Sequence, residues 1–365
     1  MKSLRIFPVV TLVVCLGFSS GTYAVNDPNA AVVHLRDANN GGCVEAGVTL
    51  NNCVASSSVD FSSLSGASSF LVQIGPGTFG QMVCGTGSSN NRKISIRGAG
   101  KDKTTLAAVT LQKDCTNVSF ADMTLGGTSV SYAVAVAGSG MNTTWTNVKL
   151  AGSWQEFCSV AGGTGKHNWF GSQIIVTNRS GYEVKCDESW FNGSEITRQG
   201  DLTRGNVTTF RVSGAELHVY GSVIRALGTG TGTSLSAITA VSATGGKVHI
   251  HGTGIDVIAF NGAPTNVIAL SAANGAEIHA DVSAYNLSSG AGGTVTRIVK
   301  DTNPNTHVHA PYQWQHIPSF PLTSVTGADM ATVTTGTSDG QPHLVIYSNN
   351  CTSRWYDTTD KKCRP

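Results

Sequence analysis

The chain of 365 residues carries 24 basic and 22 acidic side chains, and only 13% of its residues are charged. Loss of Lys2 and Arg5 with a leader would leave 22 basic against 22 acidic residues, so no basic field exists for nucleic acid. With 43 glycines, and Val, Ile, Thr and Ser crowding short segments between Gly and Asn, the composition is that of strands and turns.

Residues 1–24 read as a removable export signal: Lys2 and Arg5 precede an apolar run from Ile6 to Phe18, and the stretch ends Thr22-Tyr23-Ala24 with small side chains at the two positions that signal peptidase reads. The run is too short for a membrane anchor, and no later stretch reaches the roughly 20 apolar residues that span a bilayer. The expected destination is extracellular or periplasmic. Setting Cys15 aside with the leader leaves eight cysteines, an even number for an oxidising compartment. Their order suggests four local pairs: Cys43 with Cys53, Cys84 with Cys115, Cys158 with Cys186, and Cys351 with Cys363. Metal binding by these thiols is the weaker use, because no C-x-x-C pair occurs.

Residues 25–69 are expected to cap one end of the array that follows. From 70 to 301 the chain repeats itself. HNWFGSQI (167–174), SWFNGSEI (189–196), HVYGSVI (218–224) and HIHGTGI (249–255) share an apolar residue, then Gly-Ser or Gly-Thr, one residue and Ile. Looser copies are SFADMTL (119–125), TWTNVKL (144–150) and HADVSAYNL (279–287). Marking each copy by Ile74, Ile96, Phe120, Trp145, Trp169, Trp190, Val219, Ile250 and Ala280 gives steps of 22, 24, 25, 24, 21, 29, 31 and 30 residues. One strand motif per step at this spacing predicts an all-β solenoid of about nine coils, each adding strands to stacked parallel sheets. Residues 302–365 leave the repeat and read as a second cap or a small disulfide-closed module, since a solenoid must cover its open ends.

With this spacing, the Gly-x-Ile turns and the stretch IGPGTFG (74–80) and KISIRGAGKDKTTL (93–106) in view, the chain resembles the pectin-lyase-like superfamily over roughly residues 70 to 300. The resemblance implies a single right-handed parallel β-helix and names no activity, because lyases, hydrolases, esterases and adhesins share that scaffold. The catalytic strings of its enzymes do not carry over. The N-T-D, D-D and G-H-G motifs of the polygalacturonase type are absent, as is the R-x-P-x-x-R of the pectate-lyase type. The adjacent acids Asp187 and Glu188 precede Trp190, and with Trp190 inward, alternation points Asp187 outward and Glu188 inward.

One constellation carries chemistry. Three successive strands read Glu216-Leu-His218-Val-Tyr220, Lys247-Val-His249-Ile-His251 and Glu277-Ile-His279-Ala-Asp281. Period 2 turns Leu217, Val219, Val248, Ile250, Ile278 and Ala280 inward and the polar residues outward. In-register stacking then makes a column of His218, His249 and His279, flanked by Glu216, Lys247 and Glu277 on one side and by Tyr220, His251 and Asp281 on the other. The coil before would add Asp187, Ser189 and Phe191. Such a face suits a glycan, or a divalent cation held by neutral imidazoles, or acid–base chemistry with Lys247 near a uronic acid carboxylate. The alternative is a solvated ladder repeated by coil duplication. Close histidines should titrate below the usual range.

Trp145, Trp169 and Trp190 fall at the inward position as core. Trp154, Trp314 and Trp355 lie off the repeat, and Trp314 in PYQWQH is the candidate for stacking on a sugar. The expected function is an exported protein that binds an extracellular polysaccharide along a lateral face without catalysis. Two alternatives stand beside it: a lyase or hydrolase of unrecognised type, and an adhesive or structural solenoid.

Overall fold

The computed structural model describes residues 30–364 apart from 39–40, 57–58, 61–68, 85–92, 113–116, 128–131, 158–163, 177–180, 202–204, 230–236, 261–265, 290–292, 311–314, 318–329, 334–342 and 348–354. The leader, Cys15 and Trp314 lie outside the described residues.

All described regular structure is β, and the main sheet is a parallel solenoid wound over three faces. The first face stacks, in chain order, Ala31–Arg36, Ser69–Ile74, Lys93–Arg97, Asn117–Ala121, Asn142–Thr146, Lys166–Phe170, Glu188–Asn192 and Glu216–Tyr220, then the starts of Lys247–Ala259 and Glu277–Ser288, and last His307–His309. Each strand pairs in parallel with the next. Nine of these strands, from Ser69–Ile74 to Glu277–Ser288, fall in the span where about nine coils are expected, and one more stands at each end. The ladder of the first face has eleven rungs, and it includes Ala31–Arg36 and His307–His309 from the segments expected to be caps.

The core is set by the alternation of small polar and large apolar residues. Phe120, Trp145, Trp169 and Phe191 stack inside the first face at centroid distances of 4.1, 4.9 and 5.9 Å. On the third face Trp154 stacks on Tyr182 at 5.1 Å and Phe210 meets Tyr182 edge to face at 5.5 Å, and this row meets the first edge to face. Trp154, although off the repeat in sequence, is thus fully buried. Trp190 also departs from its expected place. Its partner in register is Asn168, while Phe191 takes the inward position opposite Trp169. Leu217, Val219, Val248, Ile250, Ile278 and Ala280 are buried as alternation requires.

The repeated Gly-Ser/Thr has a structural reason. The residue after the first-face strand must turn the corner at positive φ, between 50° and 60° at Asp122, Asn147, Gly171, Gly193, Gly221 and Gly252, a region that costs a side chain roughly 1–2 kcal/mol unless it is Gly, Asn or Asp. After each of the four glycines the next residue is a buried hydroxyl, whereas Met123 and Val148 follow Asp122 and Asn147. Ser172 N donates to Ser194 Oγ, Ser194 N to Ser222 Oγ and Ser222 N to Thr253 Oγ1, at 3.2, 3.0 and 3.4 Å, so the corner amides are satisfied from coil to coil.

Cys43 and Cys53 form the expected disulfide near the first rung. Cys84, Cys186 and Cys363 are each disulfide-bonded; Cys115, Cys158 and Cys351, their expected partners, lie outside the described residues. A second, separate sheet of five strands runs from Gln315–Ile317 to Lys362–Arg364. No described helix is long and apolar enough to cross a membrane.

Candidate functional site

The register places His218 opposite His249, His249 opposite His279, and His279 opposite His309. The rings stack at 4.8, 5.2 and 4.7 Å with interplanar angles of 10°, 4° and 18°. Trp190 closes one end of the row, 3.5 Å above His218 and 10° from parallel. His309 was not among the residues expected from sequence, although His307-Val-His309 repeats the pattern of the strands before it. Glu216, Lys247 and Glu277 share one flanking column, which His307 extends, and Tyr220, His251 and Asp281 share the other. Tyr220 and His251 stack at 5.4 Å.

Because the rings face one another along the solenoid, their edges rather than their faces point outward. Hydrogen bonding and metal ligation are therefore available along the row, and sugar stacking on ring faces is not. Glu216 Oε1 lies 3.2 Å from His218 Nε2 and 3.0 Å from His249 Nε2. His279 Nε2 lies 2.7 Å from Glu277 Oε1, and His218 Nδ1 is 3.2 Å from the Tyr220 hydroxyl. Burial under Trp190 lowers His218 to about 4 against the pull of Glu216 and with the push of His249. His249 is lowered for the same first reason. The expected depression is present at both, but desolvation exceeds the repulsion between rings as its cause.

Beside this row is an open depression of about 300 Å³ whose lining includes Glu188, Glu216 and Lys247, floored by Gly214 and Gly246. Glu188 faces outward, pairing with Lys166 at 3.0 Å and accepting from Trp190 Nε1 at 2.9 Å. Partial burial pushes its carboxyl up, yet the bonds from Trp190 and Lys166 outweigh that and hold it below the usual range. The expected orientations of the acidic pair are therefore exchanged. Asp187 is the inward residue, fully buried, and accepts from the amides of Gly140, Met141 and Gly165 at 2.7, 3.1 and 3.1 Å. Ser189 and Phe191, expected on the outer face, are likewise buried. The physical cause is one residue of register. Counting two back from the corner glycines Gly171, Gly193, Gly221 and Gly252 gives Trp169, Phe191, Val219 and Ile250, and this count, not the Trp-Phe dipeptide, finds the inward frame.

Inside the solenoid lies a polar cluster that sequence reading missed. His167 is fully buried, with Nδ1 2.7 Å from Thr143 Oγ1 and Nε2 3.7 Å from Glu156 Oε1 and 3.6 Å from Asp187 Oδ2. Glu156 accepts from the amides of Lys185 and Cys186 and from Trp154 Nε1. Desolvation raises Glu156 to about 7 and lowers His167 to about 3. No opening to solvent reaches either side chain, so the cluster belongs to the core's stability rather than to a surface site.

No family model and no curated protein matches the chain. Among solved structures, a pectin methylesterase in complex with a hexasaccharide is similar at 12% identity and TM-score 0.30, over 67% of this chain and 87% of that one. Pectin methylesterase PemA from Erwinia chrysanthemi is similar at 10% identity and TM-score 0.27, over 68% and 93%.

Proposed function

We propose that the first face, from Trp190 to His309, binds an extracellular polysaccharide without cleaving it. The observation that supports this is the row of imidazoles at one-coil spacing, covered by Trp190 at His218 and presenting the edges of His249, His279 and His309 outward, flanked by Tyr220, His251 and Lys247 and opening into the depression at Glu188 and Glu216. A linear ligand lying along the coils would meet the same kind of donor and acceptor at every rung. Lys247, exposed in that depression, would favour chains that carry carboxylates.

Binding is favoured over hydrolysis by the state of the carboxylates on this face. A general acid needs a raised pKa. The hydrogen bond from His279 holds Glu277 below its usual range, and Glu188 is held down as described. Glu216 is engaged by two imidazoles. An exported chain is the reading of its first 24 residues.

The test is retention on a panel of immobilised neutral and acidic polysaccharides, with the wild type beside Lys247→Ala, Tyr220→Phe and His251→Ala. Weaker retention by these variants is expected. Equal retention by all of them, or none by the wild type on any polysaccharide, overturns the assignment of this face. Release of unsaturated or reducing ends from a bound glycan overturns the absence of catalysis.

A further inference from the structure

The same rows hold two converging sets of donor atoms. In the first, Glu216 Oε1 sits between His218 Nε2 and His249 Nε2, at 3.2 and 3.0 Å. In the second, Glu277 Oε1 lies 2.7 Å from His279 Nε2, and His309 completes a group whose donors all fall within 4.8 Å of one another. Two ligands bound to zinc at 2.0–2.1 Å in tetrahedral geometry stand about 3.3 Å apart. The distances on Glu216 are already close to that edge, and binding one ion turns the stacked rings, now 10° from parallel, so that both Nε2 lone pairs converge and His218 Nε2, which is shielded from water and makes no hydrogen bond, gains a partner.

We propose that this face holds two divalent transition-metal ions, one on Glu216, His218 and His249 and the other on Glu277, His279 and His309. Two imidazoles and one carboxylate suit zinc, copper, nickel or cobalt, whereas calcium requires six to eight oxygens that neither set supplies. Three protein ligands leave a further position on the solvent side open to water or an anionic group. A ligating imidazole is normally held in orientation through its other nitrogen, and His218 meets this condition through the Tyr220 hydroxyl. The two sets are offset by two rungs, about 10 Å at the spacing of sheet strands. Lys247 stands in register between Glu216 and Glu277 and keeps the sets separate. The neutral column before Trp190, which is Ser95, Ser119, Thr144 and Asn168, offers no such donors.

This inference stands without the polysaccharide reading, since it needs no glycan. The metal-stripped full chain is dialysed against Zn²⁺ or Ca²⁺ and its bound metal counted by elemental analysis. Two zinc ions per chain and no retained calcium are expected. Glu216→Gln and His309→Gln should each keep one ion, the double variant none, and His251→Ala both. Substitution by Co²⁺ should give visible d–d bands that halve in each single variant. Circular dichroism identifies any variant that has unfolded; for those, the cobalt bands of His249→Ala and His279→Ala replace the count. The proposal falls if the wild type retains no zinc, if it retains a single ion, if calcium competes equally, or if both ions survive in the folded double variant.

Discussion

The Glu156→Gln variant tests the buried cluster through the pH dependence of stability. Glu156 is raised in the folded chain from 4.5 to about 7, and desolvation is the largest cause. A carboxyl raised by folding contributes stability that is complete below its unfolded pKa and is lost as pH rises through the folded value. At about 1.4 kcal/mol per pH unit, the window from 4.5 to about 7 removes about 3 kcal/mol. His167 works in the opposite sense. Its folded value of about 3 against 6.5 makes its contribution complete above 6.5 and lost as pH falls toward 3. Between 4.5 and 6.5 the two slopes oppose each other. Glutamine retains an acceptor for the amides of Lys185 and Cys186 but cannot ionise, so it removes only the slope of Glu156. Its amide group meets Trp154 Nε1 less well, a cost that does not vary with pH. Urea unfolding followed by tryptophan fluorescence, at pH 4.5 and pH 7.5, gives the difference between variant and wild type at each pH. Glu156→Gln should gain on the wild type by about 3 kcal/mol on going to the higher pH. A difference that does not change with pH, or that changes in favour of the wild type, would refute a neutral Glu156 in the core.

Three further outcomes are expected. Gly193→Ala places a β-carbon at φ +57° with no atom within 4 Å of it, so the cost is backbone strain of roughly 1–2 kcal/mol. Gly193→Asn should cost less, since Asn147 holds the same corner, and equal melting temperatures for the two variants would remove that explanation. Ser194→Ala leaves the buried Ser172 amide without its side-chain acceptor, at about 1–3 kcal/mol. Ser194→Thr should restore stability in thermal melts, because Thr253 fills the equivalent place, and a threonine variant as weak as the alanine one contradicts the hydroxyl ladder. Trp190→Ala uncovers His218, whose titration by NMR should move up from about 4 toward the ordinary imidazole range. An unmoved value would show that burial under the indole is not what holds it down.

The architecture was legible because coil length and inward alternation are properties of local sequence. Gly-Ser corners recur, and the residue two before each corner is a core residue. The frame failed where two aromatics lie side by side. Trp169-Phe170 and Trp190-Phe191 look alike, but Asn192 lengthens the second copy by one residue before its glycine, which sends Trp190 out and Phe191 in. That single step also exchanged Asp187 and Glu188. His309 escaped notice because the Asn-Pro stretch before it, 303–304, breaks the apolar pattern while the ladder continues past it. The contact of Glu156 with His167 has no signature in sequence. It joins a three-residue strand, Trp154–Glu156, on one face to Lys166–Phe170 on another, and only the closed coil brings them together.

The division of labour along the solenoid separates the candidate face from the packing that holds the coils together. The large aromatic core, from Phe120 to Phe210, lies in the middle coils, where the outer column of the first face is neutral up to Asn168. Imidazoles begin only where the inward residue of the same strands shrinks to Val219, Ile250 and Ala280. In those coils the outer row is held by stacking from Trp190 to His309 and by the carboxylates beside it, not by the core. Parallel pairing fixes the rise between rungs at about 4.8 Å, so the spacing of donor atoms is set by the backbone before any ligand arrives. Substitution of a ring edge should therefore leave the coil formed.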